Sequence, residues 1–283
     1  MEVVQREWVE RSLPRRQPED HKGRFGTLLC GCGSERFPGA ALLCTRAALR
    51  SGAGIVTLAA PAAVTAALAG LQPECTFLPL YEGAEAAAFA AESKERATAL
   101  AVGCGLGQGV GAEALLCTAM ECGLPLVLDA DGLNLLAQRP ELLALGRKDW
   151  IVTPHPGEMA RLLHTTITSV QADRPGAALL FAAESKAVTV LKGAGTLIAS
   201  PEGELFENTT GNPGLAKGGS GDVLTGIIGA FLAQGMPPIE AAICGVYLHG
   251  AAADRCAARL SMAGMLPGDL LSDLCALFLE MGR

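Results

Sequence analysis

Asn208-Thr-Thr-Gly-Asn-Pro-Gly-Leu-Ala-Lys-Gly-Gly-Ser-Gly-Asp222, running on into Val223-Leu-Thr-Gly-Ile-Ile228, is the stretch from which the rest of the chain is best read. Gly218, Gly219 and Gly221 expose backbone N–H groups that no side chain obstructs. They lead directly into an apolar segment of helical length. A helix start carries partial positive charge and unpaired amides. The combination predicts an anion hole suited to a phosphoryl group. Asp222 falls in the first helical turn and has two readings. It is either an ordinary N-cap, contributing about 1 kcal/mol, or a base that takes the proton of an attacking hydroxyl beside the transferred phosphoryl. Both stay open at this point.

Two better-known phosphate loops do not fit. Gly211-Asn-Pro-Gly-Leu-Ala-Lys-Gly218 resembles G-x-x-x-x-G-K-[ST], but Ala216 replaces the second glycine and Gly218 replaces the Ser or Thr. Gly103-Cys-Gly-Leu-Gly107 lacks the third glycine of a dinucleotide fingerprint at its required spacing.

Working outward, short aliphatic runs alternate with Ala/Leu-rich segments. Strands are expected at Thr27–Cys30, Ile55–Ala59, Ala99–Val102, Leu126–Leu128, Trp150–Thr153 and Ala187–Leu191. Helices are expected at Gly39–Arg50, Ala62–Leu68, Ala84–Lys94, Ala112–Cys122, Pro156–Leu163 and Arg174–Ser185. A hairpin follows, Thr196–Ser200 and Glu204–Phe206 around Pro201-Glu-Gly203. The last third reads as helices over Asp222–Gln234, Ile239–Leu260 and Pro267–Met281. Alternation of this kind predicts an α/β fold, with a mostly parallel central sheet covered by helices on both faces. Residues 21–283 read as one domain, and residues 1–20 as an N-terminal arm or tail.

In such sheets ligands sit beyond the carboxyl ends of the strands. Gly31-Cys-Gly-Ser34, Gly103–Gly107, Asp129-Ala-Asp-Gly-Leu-Asn134, Thr153-Pro-His-Pro-Gly-Glu158 and Lys192-Gly-Ala-Gly-Thr196 each follow an expected strand. Five polar or Gly-rich turns on one rim would converge on one crevice. His155, stiffened by two prolines, either bonds a carbonyl or presents its ring to a ligand. Asp129, Asp131 and Asn134 are either a helix-capping cluster or partners for a magnesium ion or a sugar hydroxyl. Lys192 either neutralises phosphate or is a solvated strand-end lysine; Gly193 and Gly195 beside it favour the first. Met159, Met262 and Met265 read as packing or surface residues, and His21, His164 and His249 as structural.

Bulk composition narrows the class. Half of the 283 residues are hydrophobic and 18% are charged, so a large core can form. The formal net charge of −7 argues against nonspecific nucleic-acid binding. The ten cysteines show no CxxC pair and no zinc spacing, which fits reduced, buried thiols in a cytoplasmic protein. Residues 1–20 contain no apolar core of a secretory signal. The uncharged stretch Ser51–Leu71 is interrupted by Pro61, so it reads as a strand and a helix rather than a membrane span.

Taken together, the motifs resemble the ADP/ATP-dependent NAD(P)H-hydrate dehydratases of the ribokinase-like superfamily. The likeness starts near Leu13-Pro-Arg-Arg and His21-Lys-Gly-Arg-Phe-Gly26. It continues through Pro38-Gly-Ala-Ala41, Ala47-Ala-Leu-Arg-Ser-Gly-Ala-Gly54, Gly103–Gly107, Leu128–Asp131 with Asn134, Thr153–Glu158 and Lys192–Thr196, and ends with Thr210–Asp222, in family order. The resemblance implies repair of S-NADHX and S-NADPHX: phosphorylation of the 6-hydroxyl, then loss of phosphate to restore NADH or NADPH. ADP or ATP is the implied co-substrate, ADP yielding AMP, with Mg2+. Carried over by motif, Asp222 is the base, and Gly219, Ser220 and Gly221 form the anion hole. Lys192, Gly193, Ala194, Gly195, Thr196 and Gly221 bind nucleotide. Ala40, Gly105, His155 and Asp222, with Asp131 and Asn134, meet the hydrated cofactor. Glu158 and Asp129 are candidate metal ligands. A homotetramer is implied, as is a separate epimerase, because no epimerase-length segment precedes Leu13. Neither nucleic acid nor a membrane is an expected partner.

Two positions depart from the family pattern. Cys104 stands where Pro is usual, an exchange expected to loosen that turn. Lys217 stands where Thr is common and is expected to add charge near the phosphate. Competing readings are a ribokinase-like kinase of a thiazole or pyrimidine alcohol, and a non-catalytic nucleotide-binding protein.

Overall fold

A computed structural model describes the chain except residues 146 and 148. Among the described residues ten strands form one sheet: β1 (Glu2–Val3), β2 (Thr27–Gly31), β3 (Ile55–Pro61), β4 (Thr76–Leu80), β5 (Ala99–Val102), β6 (Leu126–Leu128), β7 (Trp150–Val152), β8 (Val188–Leu191), β9 (Thr196–Ala199) and β10 (Leu205–Asn208). Their order is β1-β10-β9-β8-β7-β6-β5-β2-β3-β4. Only β9 runs against the others, as the middle of the hairpin meander at one end. From β2 the chain winds outward through β3 and β4. It then crosses back to β5 and winds the other way through β6, β7 and β8. The strand order therefore reverses between β2 and β5, the point at which sheets of this class form a crevice beyond the carboxyl ends of their strands.

The sheet separates two apolar layers, and the strands alternate between them as the pleat requires. Leu28 and Cys30 of β2 face one layer; Leu29 faces the other. The first layer is covered by α2 (Pro38–Arg50), α10 (Ser220–Ala233), α11 (Pro238–Leu260) and α12 (Leu270–Glu280). The second is covered by α4 (Glu85–Glu95), α5 (Val110–Glu121), α6 (Asp131–Gln138), α7 (Pro156–Leu162) and α9 (Arg174–Ser185). Helix α10 is almost entirely buried. It lies tight against α2: a Cβ on Gly226 would come within 2.1 Å of the Cys44 carbonyl oxygen, so only glycine permits this approach. That contact places the head of α10 over the crevice.

The expected strands and long helices are present, with ends shifted by a few residues. Three short helices and two edge strands were not read from sequence. Helices α1 (Arg6–Ser12) and α8 (Ile167–Ala172) have seven and six residues, and α6 contains the weak helix formers Gly132 and Asn134. Strand β4 contains Pro79, which an edge strand tolerates. Strand β1 is two residues pairing with β10. Helix α3 (Ala62–Ala69) occupies the part of the uncharged stretch that follows Pro61. Residues 1–20, expected as an arm or tail, are anchored: besides β1 and α1 they bury Val4, Val9 and Leu13. Among the described residues no helix is long and apolar enough to cross a membrane.

Candidate active site

Helix α10 starts at Ser220, with Gly219 as its N-cap in a left-handed conformation at φ 101°. Among the described residues no side chain caps this end. Asp222 is the third helical residue, so the N-cap reading of Asp222 does not hold. Among the described residues the amides of Gly221 and Asp222 find no acceptor, whereas that of Ser220 is directed at the Lys217 carbonyl at 3.3 Å. Gly221 and Asp222 thus supply free donors at the head of the helix, and the Ser220 amide is partly spent. Burial, reinforced by the nearby Asp129, raises the Asp222 carboxyl above its ordinary value.

Directly across from this helix start lie Asp129 and Lys192. A Cβ on Gly221 would sit 3.2 Å from Asp129 Oδ2 and 3.4 Å from Lys192 Nζ. Lys192 Nζ donates to Asp129 Oδ1 at 2.7 Å, and Thr225 Oγ1 donates to Asp129 Oδ2 at 2.9 Å. Burial opposes the charge on Asp129, but Lys192 and these hydrogen bonds outweigh it and hold the carboxyl below its ordinary value. Burial likewise opposes the charge on Lys192, and Asp129 and Glu158 outweigh it and raise the ammonium. Asp129 is therefore an ionised counter-charge, not a helix cap. Lys192 is no solvated lysine.

His155 takes a role that neither reading anticipated. Its Nδ1 accepts the amide of Gly157 at 2.9 Å, and Glu158 Oε2 accepts the amide of His155 at 2.8 Å. The pair forms a reciprocal cap on α7. Burial first, then Lys192 and Arg161, lowers the imidazole below its ordinary value. The ring is thus neutral, and with Nδ1 accepting, its proton is on Nε2, on a ring that remains half exposed. Glu158 is buried, 3.8 Å from Lys192. There burial outweighs the lysine and raises the carboxyl.

Asp131 and Asn134 are engaged from the side. Asp131 Oδ2 accepts the Gly107 amide at 2.8 Å, which ties α6 to the Gly103–Gly107 turn. Asn134 Oδ1 accepts from Arg161 Nε at 2.9 Å. Asn134 and Arg161, with Gln108 and His164, line an open cleft of about 590 Å³ next to the crevice. Ala130, between the two aspartates, has φ 51°, an uncommon conformation for alanine. Gly103, at φ 118°, touches the Asp129 carbonyl so closely that a Cβ would lie 2.0 Å from it. Ala40 and Gly105 are adjacent, since a Cβ on Gly105 would fall 2.8 Å from that of Ala40. Ser34 Oγ holds the Gly105 carbonyl at 2.8 Å.

The turn Gly193-Ala-Gly195, between Lys192 and Thr196, depends on a residue that drew no notice in the sequence. Arg174, at the start of α9, donates to the carbonyls of Ala194 at 2.6 Å and Leu191 at 3.3 Å. Thr225 was missed as well; its only signal was one hydroxyl in an apolar run, three residues after Asp222.

Residues 28–275 match the family model described as NAD(P)H-hydrate dehydratase. The chain belongs to this family. It is 44% identical over 267 residues to the ADP-dependent (S)-NAD(P)H-hydrate dehydratase of Neisseria meningitidis serogroup B, covering 90% of this chain and 86% of that one. It is 42% identical over 275 residues to the bifunctional NAD(P)H-hydrate repair enzyme Nnr of Moorella thermoacetica, covering 94% of this chain but 52% of that one. The chain thus spans about half the length of several curated relatives it matches. A crystal structure of the Bacillus subtilis ADP/ATP-dependent NAD(P)H-hydrate dehydratase, co-crystallised with ATP/Mg2+, superposes with a TM-score of 0.87 at 33% identity, covering 99% of this chain and 98% of that one. The architecture is the ribokinase-like one expected from the sequence.

Both departures from the family pattern have a definite place. Lys217 Nζ donates to the carbonyls of Ala263 and Met265, each at 2.6 Å, so its charge is spent on a neighbouring loop rather than offered to a phosphate. Cys104 is fully buried beside Asp222, and the turn around it is held by Asp131 and Ser34.

Proposed function

We propose that this chain restores hydrated NADH and NADPH by a nucleotide-driven dehydration, with Asp222 as the base. The observation that carries the reading is the position of Asp222 at the head of α10, next to two free amides and across from Lys192. The 6-hydroxyl of the substrate gives its proton to Asp222 as its oxygen attacks the terminal phosphoryl of ADP or ATP. The amides of Gly221 and Asp222 receive the phosphoryl oxygens. Phosphate then departs from C6, a proton is lost from C5, and the ring double bond is restored. Phosphate is a far better leaving group than hydroxide at neutral pH, which is why a nucleotide is consumed at all.

Lys192 and the Lys192–Thr196 turn, braced by Arg174, hold the nucleotide. Ala40, Gly105 and the exposed edge of His155 meet the hydrated cofactor. Asp131 and Asn134 shape this region by holding the Gly107 turn and Arg161. The donor set fits a magnesium ion carried mainly on the nucleotide phosphates. Three carboxylates, Asp129, Glu158 and Asp222, surround one lysine, so polyphosphate needs further positive charge. Both oxygens of Asp129 are already engaged, which leaves Glu158 as the residue that would hold the ion. Bound there, magnesium would neutralise charge developing on the phosphates. A cytoplasmic homotetramer working beside a separate epimerase completes the proposal.

The test is incubation with S-NADHX, Mg2+ and either ADP or ATP, following reduced-cofactor absorbance and nucleotide product together. Recovery of absorbance matched by AMP from ADP, or ADP from ATP, is expected. Nucleotide turnover with a thiazole or pyrimidine alcohol and no recovery of NADH would replace this reading with a small-molecule kinase.

A further inference from the structure

The crevice has a floor that the proposed chemistry does not use. Cys32 follows β2, Cys104 follows β5, and Cys44 projects from α2; all three side chains are fully buried. Their sulfur atoms lie within 4.8 Å of one another, and Cys32 and Cys44 are 4.0 Å apart. Among the described residues this is the one group of three His, Cys, Asp or Glu donors so closely gathered. Two thiolates bound to one ion at about 2.3 Å stand roughly 3.8–4.0 Å apart in tetrahedral or trigonal geometry. The sulfurs are therefore already near the spacing that a shared ion requires.

We propose that Cys32, Cys44 and Cys104 form a three-sulfur site for a soft, thiophilic cation of the zinc, cadmium or copper(I) class, lying directly under Asp222. Sulfur selects this class over magnesium, so the site does not compete for the ion that accompanies the nucleotide. Binding exchanges three S–H protons, released to solvent, for three sulfur–metal bonds. Without metal the three groups are thiols: their mutual hydrogen bonds pull in both directions, and burial raises each of them, leaving all three well above the ordinary cysteine range. The triad depends on the departure at residue 104: proline there would leave two sulfurs. Cys104 adjoins Asp222 and lies in the turn that carries Gly105. An ion on Cys104 would therefore fix that turn and change the charge felt by the base, stopping dehydration. This inhibitory consequence rests on the proposed function; the binding itself does not.

The probe is Cd2+ added to the reduced, oxygen-free protein. A sulfur-to-cadmium charge-transfer absorption is expected to saturate at one ion per chain. X-ray absorption of the loaded wild-type protein is expected to show three sulfur neighbours. Cys44→Ala, outside the proposed catalytic residues, is expected to lose the absorption although seven cysteines outside the triad remain. NADH recovery is expected to be lost on loading and regained with a chelator. A metal shell of oxygen and nitrogen alone in the wild-type protein, or an unchanged absorption in folded Cys44→Ala, would overturn the site. The X-ray result stands even where the variant fails to fold. Three-sulfur binding without inhibition would overturn only the link to Asp222.

Discussion

Lys192 and Asp129 lie 2.7 Å apart, yet the lysine side chain keeps 21% of its exposure while the aspartate side chain keeps 2%. The cation is thus presented to the crevice by an anion that water scarcely reaches. The consequence is that Lys192 is the partner that makes a buried carboxylate tolerable and, in the proposed function, also the ligand for an incoming anion. Lys192→Met should therefore fail twice. Leaving Asp129 buried without its partner costs about 3 kcal/mol or more, and nucleotide affinity falls as well. The pH dependence identifies the cause. In the wild type the Asp129 carboxyl is held below its unfolded value of 3.8, so its contribution is present above that value and lost as pH falls through the lower folded one. In the variant, burial dominates and lifts the folded value above 3.8. Its penalty is then relieved as pH falls through that raised value. Urea unfolding across acid pH should show opposite slopes for the two proteins.

Asp222→Asn keeps the shape at the head of α10 and its free amides but removes the proton acceptor. Nucleotide binding, followed by calorimetry, should survive with little change, while NADH recovery falls by roughly 10²–10⁴. Wild-type turnover in this variant would remove Asp222 from the mechanism. Because burial and Asp129 raise the Asp222 carboxyl, the wild-type rate should fall on the acid side at a pH above the ordinary carboxylate range. The base works only when deprotonated, so the rate rises with pH through that value.

How much of this could be seen in the sequence differs by element. The parallel sheet was legible because Thr27–Cys30, Ile55–Ala59 and Ala99–Val102 are continuous apolar runs, as strands buried on both faces must be. Strand β4, at an edge and carrying Pro79, lacks that signature. Gly219 was legible because its left-handed backbone admits few other residues. The role of His155 was not, since whether Nδ1 accepts an amide depends on the direction of the chain after Pro156. Arg174 and Thr225 reach their partners across 20 and 96 positions of sequence, and no local pattern encodes such contacts. Lys217 was misread for the same reason: the carbonyls that hold it belong to a loop 46 and 48 residues further on.

Gly221→Ala separates stability from activity at a single methyl. Gly221 is within the helix, and its φ is not in the left-handed range, so alanine suits the backbone and adds up to about 1 kcal/mol of helix propensity. The methyl would lie 3.2 Å from Asp129 Oδ2 and 3.4 Å from Lys192 Nζ, in the space assigned to the phosphoryl group. A melting temperature close to that of the wild type, together with loss of NADH recovery and weakened nucleotide binding, is expected. An active Gly221→Ala enzyme would show that the phosphoryl group lies elsewhere.

His249 carries a further pH signal, and its sign is opposite to that of a paired histidine. It is buried on α11 against the backbone of Ser220; its Nε2 and Ser220 Oγ both find no partner among the described residues. Burial lowers its pKa from 6.5 to about 4. The unfolded chain therefore takes up a proton that the folded chain refuses. Stability is unaffected above about pH 6.5, declines as pH falls from there, and levels off below about pH 4 for this group. The decline attributable to His249 cannot exceed about 1.4 kcal/mol per pH unit. His249→Gln, which cannot titrate, should lose this part of the slope between pH 6.5 and pH 4 while retaining the acid transition that belongs to Asp129. Unfolding curves for the two proteins would then converge as pH falls, because only the wild type has to charge a buried imidazole. Parallel curves over that interval would mean that the folded protein protonates His249 as easily as the unfolded chain does, through an opening at the head of α10.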